Sequence, residues 1–574
     1  MKIYLNKFFS LINVSKFKLF IILLLSFIAS VLDAVGILSI LPVVWVITDF
    51  ESFKSIIFEL EIQPLNNILN YSTSKIIIYF SVFSIFCFSL KTISSILIQF
   101  ILNKFAYSQM FTLRSQILKN ILKLEYMSFQ NLNKNETLNI ILTTIHEFIE
   151  LSLRPFLKIF SELMVGIILF AVLLTTDVTM TLIIFFFLIF LSVFYFFSIK
   201  RIIYKYGNIS DNENIKTIES ATNNINGFLD LRILKLTGLF FKNYFNHIKN
   251  FSYIKTRSVT LEAVPRYLFE FSIFFLLNLI IIFYTINDDY NFIINNISLL
   301  AIISIRILPS ISIVSSSLVA LRFSSYHLNK LYNFNTELKK LDKQALKNKN
   351  LLNETFENLK IKNLKFYYND NLVLNNINFD INKNDFIGLI GRSGSGKTTL
   401  IKIISQILLP KIGKIFINKI NSDNIDYQNK ICLVSQNNFF INGSIKQNIS
   451  LNLDTETNDD EKIINLLKDV NLYEELVSSN RNIYSKISND ASELSGGQKQ
   501  RLIIARSLYF NRELFIFDEA SSSLDAENVK SLVNVLLKLK NKITLIYISH
   551  NLDSLSFCDK IFEIKNSDII NYKK

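Results

Sequence analysis

The sequence predicts a polytopic α-helical membrane domain followed by a soluble α/β domain with a phosphate-binding loop. Half of the 574 residues are hydrophobic, which is too many for a soluble protein, and 19% are charged, which is too many for membrane spans alone. The apolar residues concentrate in the first 320 positions. The remainder contains a glycine-rich loop between an apolar run and a helical pattern, as a phosphate-binding α/β domain requires.

Six apolar stretches are long enough to cross a bilayer. We place them at 19–48, 76–103, 152–176, 178–199, 267–287 and 293–320. The first is longer than the apolar part of a signal peptide, about 7–15 residues, so we expect a retained span. The connections 104–151 and 200–266 are long and basic, and the positive-inside rule places them and both termini in the cytoplasm. We expect these connections to extend the spans as helical arms.

The predicted membrane domain covers residues 1–334, a lysine-rich linker covers 335–358, and the soluble domain covers 359–574. Segment 49–71 is either an amphipathic helix on the outer surface or a plain loop. The net charge of +14 does not indicate nucleic-acid binding, because the cations lie beside apolar spans, where membrane flanks carry them. The three cysteines have no disulfide or metal spacing.

A phosphate-binding loop is predicted at Gly391–Thr398, which fits the pattern G-x-x-x-x-G-K-[ST]. The apolar run Phe386–Ile390 precedes it as a strand, and Thr399–Leu409 follows it as a helix. Glycines allow backbone N–H groups to surround a phosphate at the helix N-terminus. Lys397 is expected to pair with the β- and γ-phosphates, and Thr398 to ligate Mg²⁺. The predicted nucleotide-binding residues here are Gly391, Ser393, Gly394, Gly396, Lys397, Thr398 and Thr399.

A second apolar strand, Leu514–Phe517, ends in two acidic residues. Asp518 is placed to hold Mg²⁺ through water, and Glu519 to polarise an attacking water. Such a strand is common by itself. Its significance comes from following the phosphate loop in the same domain.

The stretch Leu494–Gln498, followed by Lys499-Gln500-Arg501, resembles the signature of ATP-binding-cassette proteins. Its physical basis is a backbone nest at a helix N-terminus that suits a γ-phosphate. The nucleotide-contacting residues implied there are Ser495, Gly496, Gly497 and Gln498. The resemblance also implies roles for four further residues, namely adenine stacking by Tyr368, Mg²⁺ contact by Gln436, dimer-interface contact by Asp525 and γ-phosphate contact by His550.

The resemblance implies an ATPase that uses ATP and Mg²⁺ and works as a homodimer. In this family the signature of one subunit closes over the phosphate loop of the other, and one chain carries one of each. Glu519, Gln498 and His550 are all present, so two hydrolytic sites are expected. The stretch 487–490 departs from the family because it lacks the Gly-Glu pair common in exporters, which leaves the coupling contact there undefined.

Six spans with long arms before the ATPase resemble the exporter type of this superfamily, in the bacterial inner membrane. Three cations, Lys91, Arg266 and Arg306, are predicted to line a basic cavity for an anionic head group. Arg266 has the alternative of a simple basic flank, and Arg306 that of an ion pair with Asp33 or Glu270.

The stretches Ala263–Arg266 and Arg306–Ser310, with Lys91, resemble bacterial lipid-linked oligosaccharide flippases. The implied cargo is a membrane lipid carrying a polyprenyl-pyrophosphate glycan. The alternatives are another amphiphile, such as a lipid A core, a drug or a peptide, or an ATP-gated channel. The absence of an N-terminal protease domain argues against leader-bearing peptides, and the intact catalytic residues argue against a channel.

Overall fold

The computed structural model describes residues 2–12, 16–48, 50–51, 53–54, 71–174, 178–286, 290–342, 350–435, 439–452, 459–518, 526–540, 542–550 and 552–572. Most of the predicted outer segment 49–71 lies outside these ranges. The chain divides into two compact units. The first comprises Met1–Leu124 and Phe129–Lys343, and the second comprises Glu125–Ser128 and Gln344–Lys574.

The N-terminal part of the chain is helical. Its helices are α1 Lys2–Leu11, α2 Lys16–Leu38, α3 Leu41–Thr48, α4 Thr73–Leu122, α5 Tyr126–Gln130, α6 Lys134–Asn139, α7 Ile145–Phe148, α8 Arg154–Leu173, α9 Val178–Asn226, α10 Phe228–Ile233, α11 Thr237–Ile286 and α12 Tyr290–Asp342. Two π-helical turns, Ile140–Thr144 and Ile149–Leu153, flank α7. Because α4, α9, α11 and α12 each have about 50 residues, each is far longer than the roughly 20 residues that cross a bilayer.

Within the described residues, four helical stretches are long and apolar enough to span a membrane, namely Phe17–Ile47, Thr73–Leu122, Phe185–Asn226 and Leu308–Leu341. The other two predicted spans, 152–176 and 267–287, coincide with α8 and the C-terminal part of α11. The basic connections are helical as predicted, since α4, α9 and α11 continue well beyond their apolar parts.

One contact between α9 and α12 requires a residue without a side chain. A Cβ atom added at Gly207 would lie 2.4 Å from the backbone oxygen of Phe323. Small residues at such points let two helix backbones approach closely. Gly207 therefore fixes how tightly these two helices pack.

A buried carboxylate ties three helices of the same unit together. Asp211 on α9 accepts hydrogen bonds from Lys330 Nζ on α12 at 2.7 Å and from Asn139 Nδ2 on α6 at 3.3 Å. The Asp211 side chain is 1% exposed. A buried charge is stable only when its partners are present, so this group holds α6, α9 and α12 in one arrangement.

The second unit contains the strands. They are β1 Asn350–Leu351, β2 Asn358–Tyr368, β3 Asn371–Asn382, β4 Phe386–Gly391, β5 Ile412–Ile417, β6 Ile420–Asn421, β7 Ile425–Asp426, β8 Ile431–Val434, β9 Gly443–Ser444, β10 Lys486–Ile487, β11 Leu514–Asp518, β12 Thr544–Ile548, β13 Lys560–Lys565 and β14 Asp568–Asn571. A six-stranded sheet has the order β14-β13-β4-β12-β11-β8 and is parallel except for β14. An antiparallel sheet has the order β3-β2-β5-β6, and β1-β7 and β10-β9 form short pairs.

The second unit also contains α-helices. They are α13 Lys397–Ile404, α14 Ile445–Ser450, α15 Asp460–Asp469, α16 Tyr473–Ser478, α17 Gly496–Tyr509 and α18 Ala526–Lys538. Side chains of β12 alternate between two hydrophobic clusters, with Leu545 and Tyr547 in one and Ile546 and Ile548 in the other. A strand that is apolar at every position is therefore buried on both faces, as parallel sheets require.

Replacing Gly207 with alanine tests the contact between α9 and α12. The new methyl group has no room against the Phe323 carbonyl, so the substitution is expected to cost about 1–3 kcal/mol of stability. The measurement is the midpoint of thermal unfolding of the full chain. Gly166→Ala is the matched control, because a Cβ at this α8 position meets nothing within 4 Å. Equal midpoints for the two variants would show that the contact is looser than described.

Candidate functional site

The parallel register brings three predicted site segments to one edge of the sheet. Leu389 of β4 pairs with Ile548 of β12, which pairs with Asp518 of β11. The carboxyl ends of these strands therefore lie level with each other. Ligands of open α/β sheets bind outside this edge. The phosphate loop after β4, Asp518 at the end of β11 and His550 after β12 all lie there.

The loop after β4 curls around a lysine. Lys397 is 5% exposed, and its Nζ donates hydrogen bonds to the backbone oxygens of Gly391 at 2.7 Å and Arg392 at 3.0 Å. Gly394 and Gly396 have φ values of +77° and +103°, which side chains rarely adopt. The turn thus requires the glycines that the sequence places there.

This loop fits a phosphate group. A Cβ at Gly394 would meet nothing within 4 Å, so that side of the loop is open. Among the described residues, Ser395 Oγ is buried without a hydrogen-bond partner. Lys397, Thr398 and Thr399 supply the first N–H groups of α13, which have no acceptor within the helix. An anion would satisfy these donors and lie at the positive end of the helix dipole.

Three of the remaining predicted site residues, Gln436, Glu519 and Asp525, lie outside the described residues. Asp518, the last residue of β11, is partly buried, and His550 is exposed just beyond β12. Ser549, next to His550, is buried, and its Oγ accepts a hydrogen bond from Ser554 at 2.6 Å.

Tyr368 ends β2, and its ring packs edge-on against Phe366 with centroids 5.1 Å apart. The ring is partly buried against the hydrophobic cluster that also holds the buried residues of α13. Its predicted role in adenine stacking stays a prediction, and the side chain is partly exposed.

The signature segment forms a capped helix N-terminus. Ser495 is the N-cap of α17, and its Oγ accepts a hydrogen bond from the Gln498 N–H, while the Gln498 side chain accepts one from the Ser495 N–H. This reciprocal pair is a capping box. It holds Gly496 and Gly497 at the positive end of the helix dipole, where an anion binds favourably.

An ion pair holds the same helix in place. The sequence pattern did not predict that Glu475 is the partner of Arg501. Arg501 is 3% exposed and donates two hydrogen bonds to Glu475 on α16, at 2.6 and 2.8 Å. Gln498 Nε2 donates to the same carboxylate at 3.3 Å. The signature helix packs in a different hydrophobic cluster from α13.

The atypical loop before the signature has its own hydrogen bonds. Ser488 Oγ donates to Asp490 and Glu493, and the Ser488 N–H donates to Glu493. The Ser488 hydroxyl lowers the pKa of Asp490, and backbone N–H groups of Glu493 and Ser488 lower the pKa of Glu493. Ala491 adopts φ +48°. The loop is therefore ordered by side chains, and it exposes two carboxylates.

The predicted cavity residue Lys91 is already paired. Its Nζ lies 3.1 Å from Asp33 on α2, and both side chains are largely buried. A Cβ at Gly36 would lie 2.8 Å from Lys91 Cβ, so the lysine stem crosses α2 over a glycine notch. Spacing along the sequence did not indicate this pair.

The other two predicted cavity residues are Arg266 on α11 and Arg306 on α12. Arg266 is 68% exposed and pairs with Glu270 one turn further along α11, at 2.9 Å. Arg306 lies on α12, but its side chain is outside the described part of the chain. Glu162 on α8 accepts a hydrogen bond from Ser310 on α12 at 2.8 Å, a contact that the sequence did not predict.

Comparisons with known proteins agree with this geometry. The ABC transporter family profile matches residues 374–522. An ATP-dependent lipid A-core flippase of Francisella novicida is 35% identical over 191 residues, which are 33% of this chain and 32% of that protein. A lactococcin-G-processing and transport ATP-binding protein of Lactococcus lactis is 35% identical over 187 residues, 32% of this chain and 26% of that protein. The chain thus spans about a third or less of the length of these relatives.

A solved structure resembles nearly the whole chain. It is a bacterial Atm1-family ABC exporter with ATP bound, with a TM-score of 0.74, 14% sequence identity, and coverage of 97% of this chain and 95% of that one. At this identity the likeness concerns the fold alone. The chain therefore carries an ABC transporter ATPase domain after an N-terminal helical domain, and it has the fold of an ABC exporter.

Proposed function

We propose that this protein is an ATP-driven exporter that hydrolyses ATP to move an amphiphilic, anionic lipid-linked substrate across the inner membrane. One observation carries the ATPase part of this proposal. The pairing of β4, β12 and β11 places the phosphate loop, Asp518 and His550 at one sheet edge. We retain the predicted domain limits, 1–334 and 359–574, with the basic ends of the spans and both termini in the cytoplasm.

The chain's own residues bind and orient the nucleotide. The N–H groups at the start of α13 and the Lys397 ammonium hold the phosphates, and Tyr368 supplies a ring face for the base. Thr398, Asp518 and Gln436 would hold Mg²⁺, whose oxygen-ligand preference they match. When bound, Mg²⁺ neutralises charge on the phosphate oxygens. Glu519 accepts a proton from the attacking water, and His550 donates to the γ-phosphate.

A homodimer is part of the proposal. We expect the N-terminus of the signature helix α17 to contact ATP that is bound at the phosphate loop of a second copy. Within one chain, α17 and α13 pack in different hydrophobic clusters. The short helix α10 also exposes apolar side chains, with Phe228 at 58%, Leu229 at 68% and Ile233 at 69%. Exposed apolar groups of this kind mark interaction surfaces, and a second copy would cover them.

The proposed cargo carries a pyrophosphate on a polyprenyl chain. Lys91 and Asp33 lie largely buried in two predicted spans, and buried ionisable groups in a span indicate a functional site. Lys91 is paired with Asp33, and its ammonium has two further N–H donors that would contact a phosphate of the cargo. A lipid A core is the second candidate, because the flippase of Francisella novicida resembles the ATPase part of this chain.

Replacing Glu519 with glutamine should stop hydrolysis without preventing ATP binding. The amide cannot accept the proton of the attacking water, so we expect ATP turnover to fall by at least ~100-fold. With ATP and Mg²⁺, light scattering of the purified variant should show a stable dimer. The measurements are phosphate release and mass in solution.

Glu474→Gln is the control for this experiment, because it makes the same chemical change on an exposed position of α16. It should keep normal turnover. Unchanged hydrolysis in Glu519→Gln would show that another residue serves as the base. Loss of ATP binding in that variant would mean that Glu519 supports the structure of the site.

The cargo is tested with a charge-balanced pair of substitutions. Lys91→Gln alone leaves Asp33 buried without its cation, so the double variant Asp33→Asn/Lys91→Gln is the informative one. We expect about tenfold slower flipping of a polyprenyl-pyrophosphate glycan by the double variant in proteoliposomes, since one charged contact is lost. Basal ATP hydrolysis should be retained.

Lys119→Gln, an exposed lysine further along α4, is the control and should flip normally. Wild-type flipping by the double variant would exclude Lys91 as a cargo ligand. Flipping of lipid A core but not of the pyrophosphate glycan by the wild type would favour the second candidate.

A further inference from the structure

A groove lies between α9 and α11, on the first unit. It has a volume of about 450 Å³. Ile202, Ile209 and Ile254 supply apolar walls, and Tyr206 and Tyr253 supply two aromatic rings. Tyr253 is 55% exposed.

The cation Arg257 lies beside the groove, in contact with two tyrosines that line it. The Arg257 guanidinium lies over the Tyr253 ring, 4.3 Å from its centroid. Its Nη1 also lies 3.5 Å from the Tyr206 hydroxyl, which raises the pKa of Arg257. Stacking and hydrogen bonding together orient the guanidinium, which leaves its remaining N–H groups to face an anion. Lys205 is a second cation, and it lines the groove itself.

One carboxylate, Glu213, also lines the groove, and it has partners of its own. Glu213 at the far end lies 2.8 Å from His247 Nδ1 and 3.9 Å from Lys216 Nζ. Burial raises the pKa of Glu262, beyond Arg257 on α11, to about 7. Lys205 and Arg257 therefore supply positive charge at the end of the groove opposite Glu213.

The groove begins where the apolar part of α9 ends. Lys200 and Arg201 follow the last apolar run of that helix, and Lys205 is about 6–8 Å further along the axis. On α12, Arg322 lies over the Tyr204 ring at 4.9 Å and donates to the Lys200 backbone oxygen. Tyrosines and cations at this depth are typical of a membrane interface, where the surrounding ligand is a lipid head group.

We propose that the groove between α9 and α11 binds the phosphate head group of an anionic phospholipid of the cytoplasmic leaflet. Arg257 and Lys205 contact the phosphate, the two tyrosine rings flank it, and the isoleucines contact the adjoining glycerol and acyl chain. Charge complementarity favours this ligand, because its phosphate supplies the anion that the two cations match. This site is distinct from the proposed cargo contact at Lys91.

The test measures lipid binding directly and needs no ATP hydrolysis, so its outcome is independent of the proposed transport activity. Detergent-solubilised full-length protein is titrated with dioleoyl phosphatidylglycerol, and bound lipid is counted by native mass spectrometry. Dioleoyl phosphatidylcholine, with the same chains and no net charge, is the reference. We expect preferential binding of phosphatidylglycerol, weakened about fivefold in Arg257→Gln and largely restored in Arg257→Lys.

Lys242→Gln removes the same charge about four turns away on α11 and should bind like the wild type. Glycerol 1-phosphate added in excess distinguishes a free phosphate ester from a phospholipid head group as the ligand. If it displaces the lipid fully, the groove recognises free phosphate esters and the lipid proposal is wrong. Equal binding of both phospholipids, or no effect of Arg257→Gln, would also overturn it.

The rate at which a water-soluble maleimide labels Tyr253→Cys tests whether a second copy of the chain occupies the groove instead. Under our proposal, labelling slows when phosphatidylglycerol is added and does not depend on protein concentration. Labelling that slows with protein concentration and ignores the lipid would identify a protein interface instead. The parent chain supplies the background labelling from Cys87, Cys432 and Cys558.

Discussion

The parallel pairing of β4, β12 and β11 is the constraint on which the candidate site depends. These strands come from distant parts of the chain, and their register alone makes the phosphate loop, Asp518 and His550 neighbours. Because side chains alternate along a strand, a shift of one residue would exchange the two hydrophobic clusters across the sheet. Packing on both faces therefore fixes the geometry of the edge where chemistry is proposed.

Local patterns predicted much of the fold, because they depend on near neighbours in the sequence. The glycines around Lys397 and the Ser495–Gln498 capping box are short-range arrangements, and their residue types are required by backbone conformation. The spans follow from unbroken apolar stretches. The fold of an ABC exporter is confirmed by the comparison with a solved structure.

Long-range pairs could not be predicted in the same way. Nothing near Lys91 in the sequence indicates that Asp33 is its partner, and the notch at Gly36 becomes meaningful only when α2 and α4 lie side by side. The same holds for Glu475 beneath Arg501 and for Asp211 beside Lys330. In each of these pairs, a basic side chain is held by an acidic side chain from another helix.

The Asp33–Lys91 pair also has a consequence for how the protein is made. A single Asp or Lys at the centre of a membrane helix raises its insertion free energy by about 2.5–3.5 kcal/mol. Each of α2 and α4 carries one such group, and the two charges cancel only when the helices meet. The bilayer therefore favours the two helices as a joined pair, with the stem of Lys91 packed over Gly36.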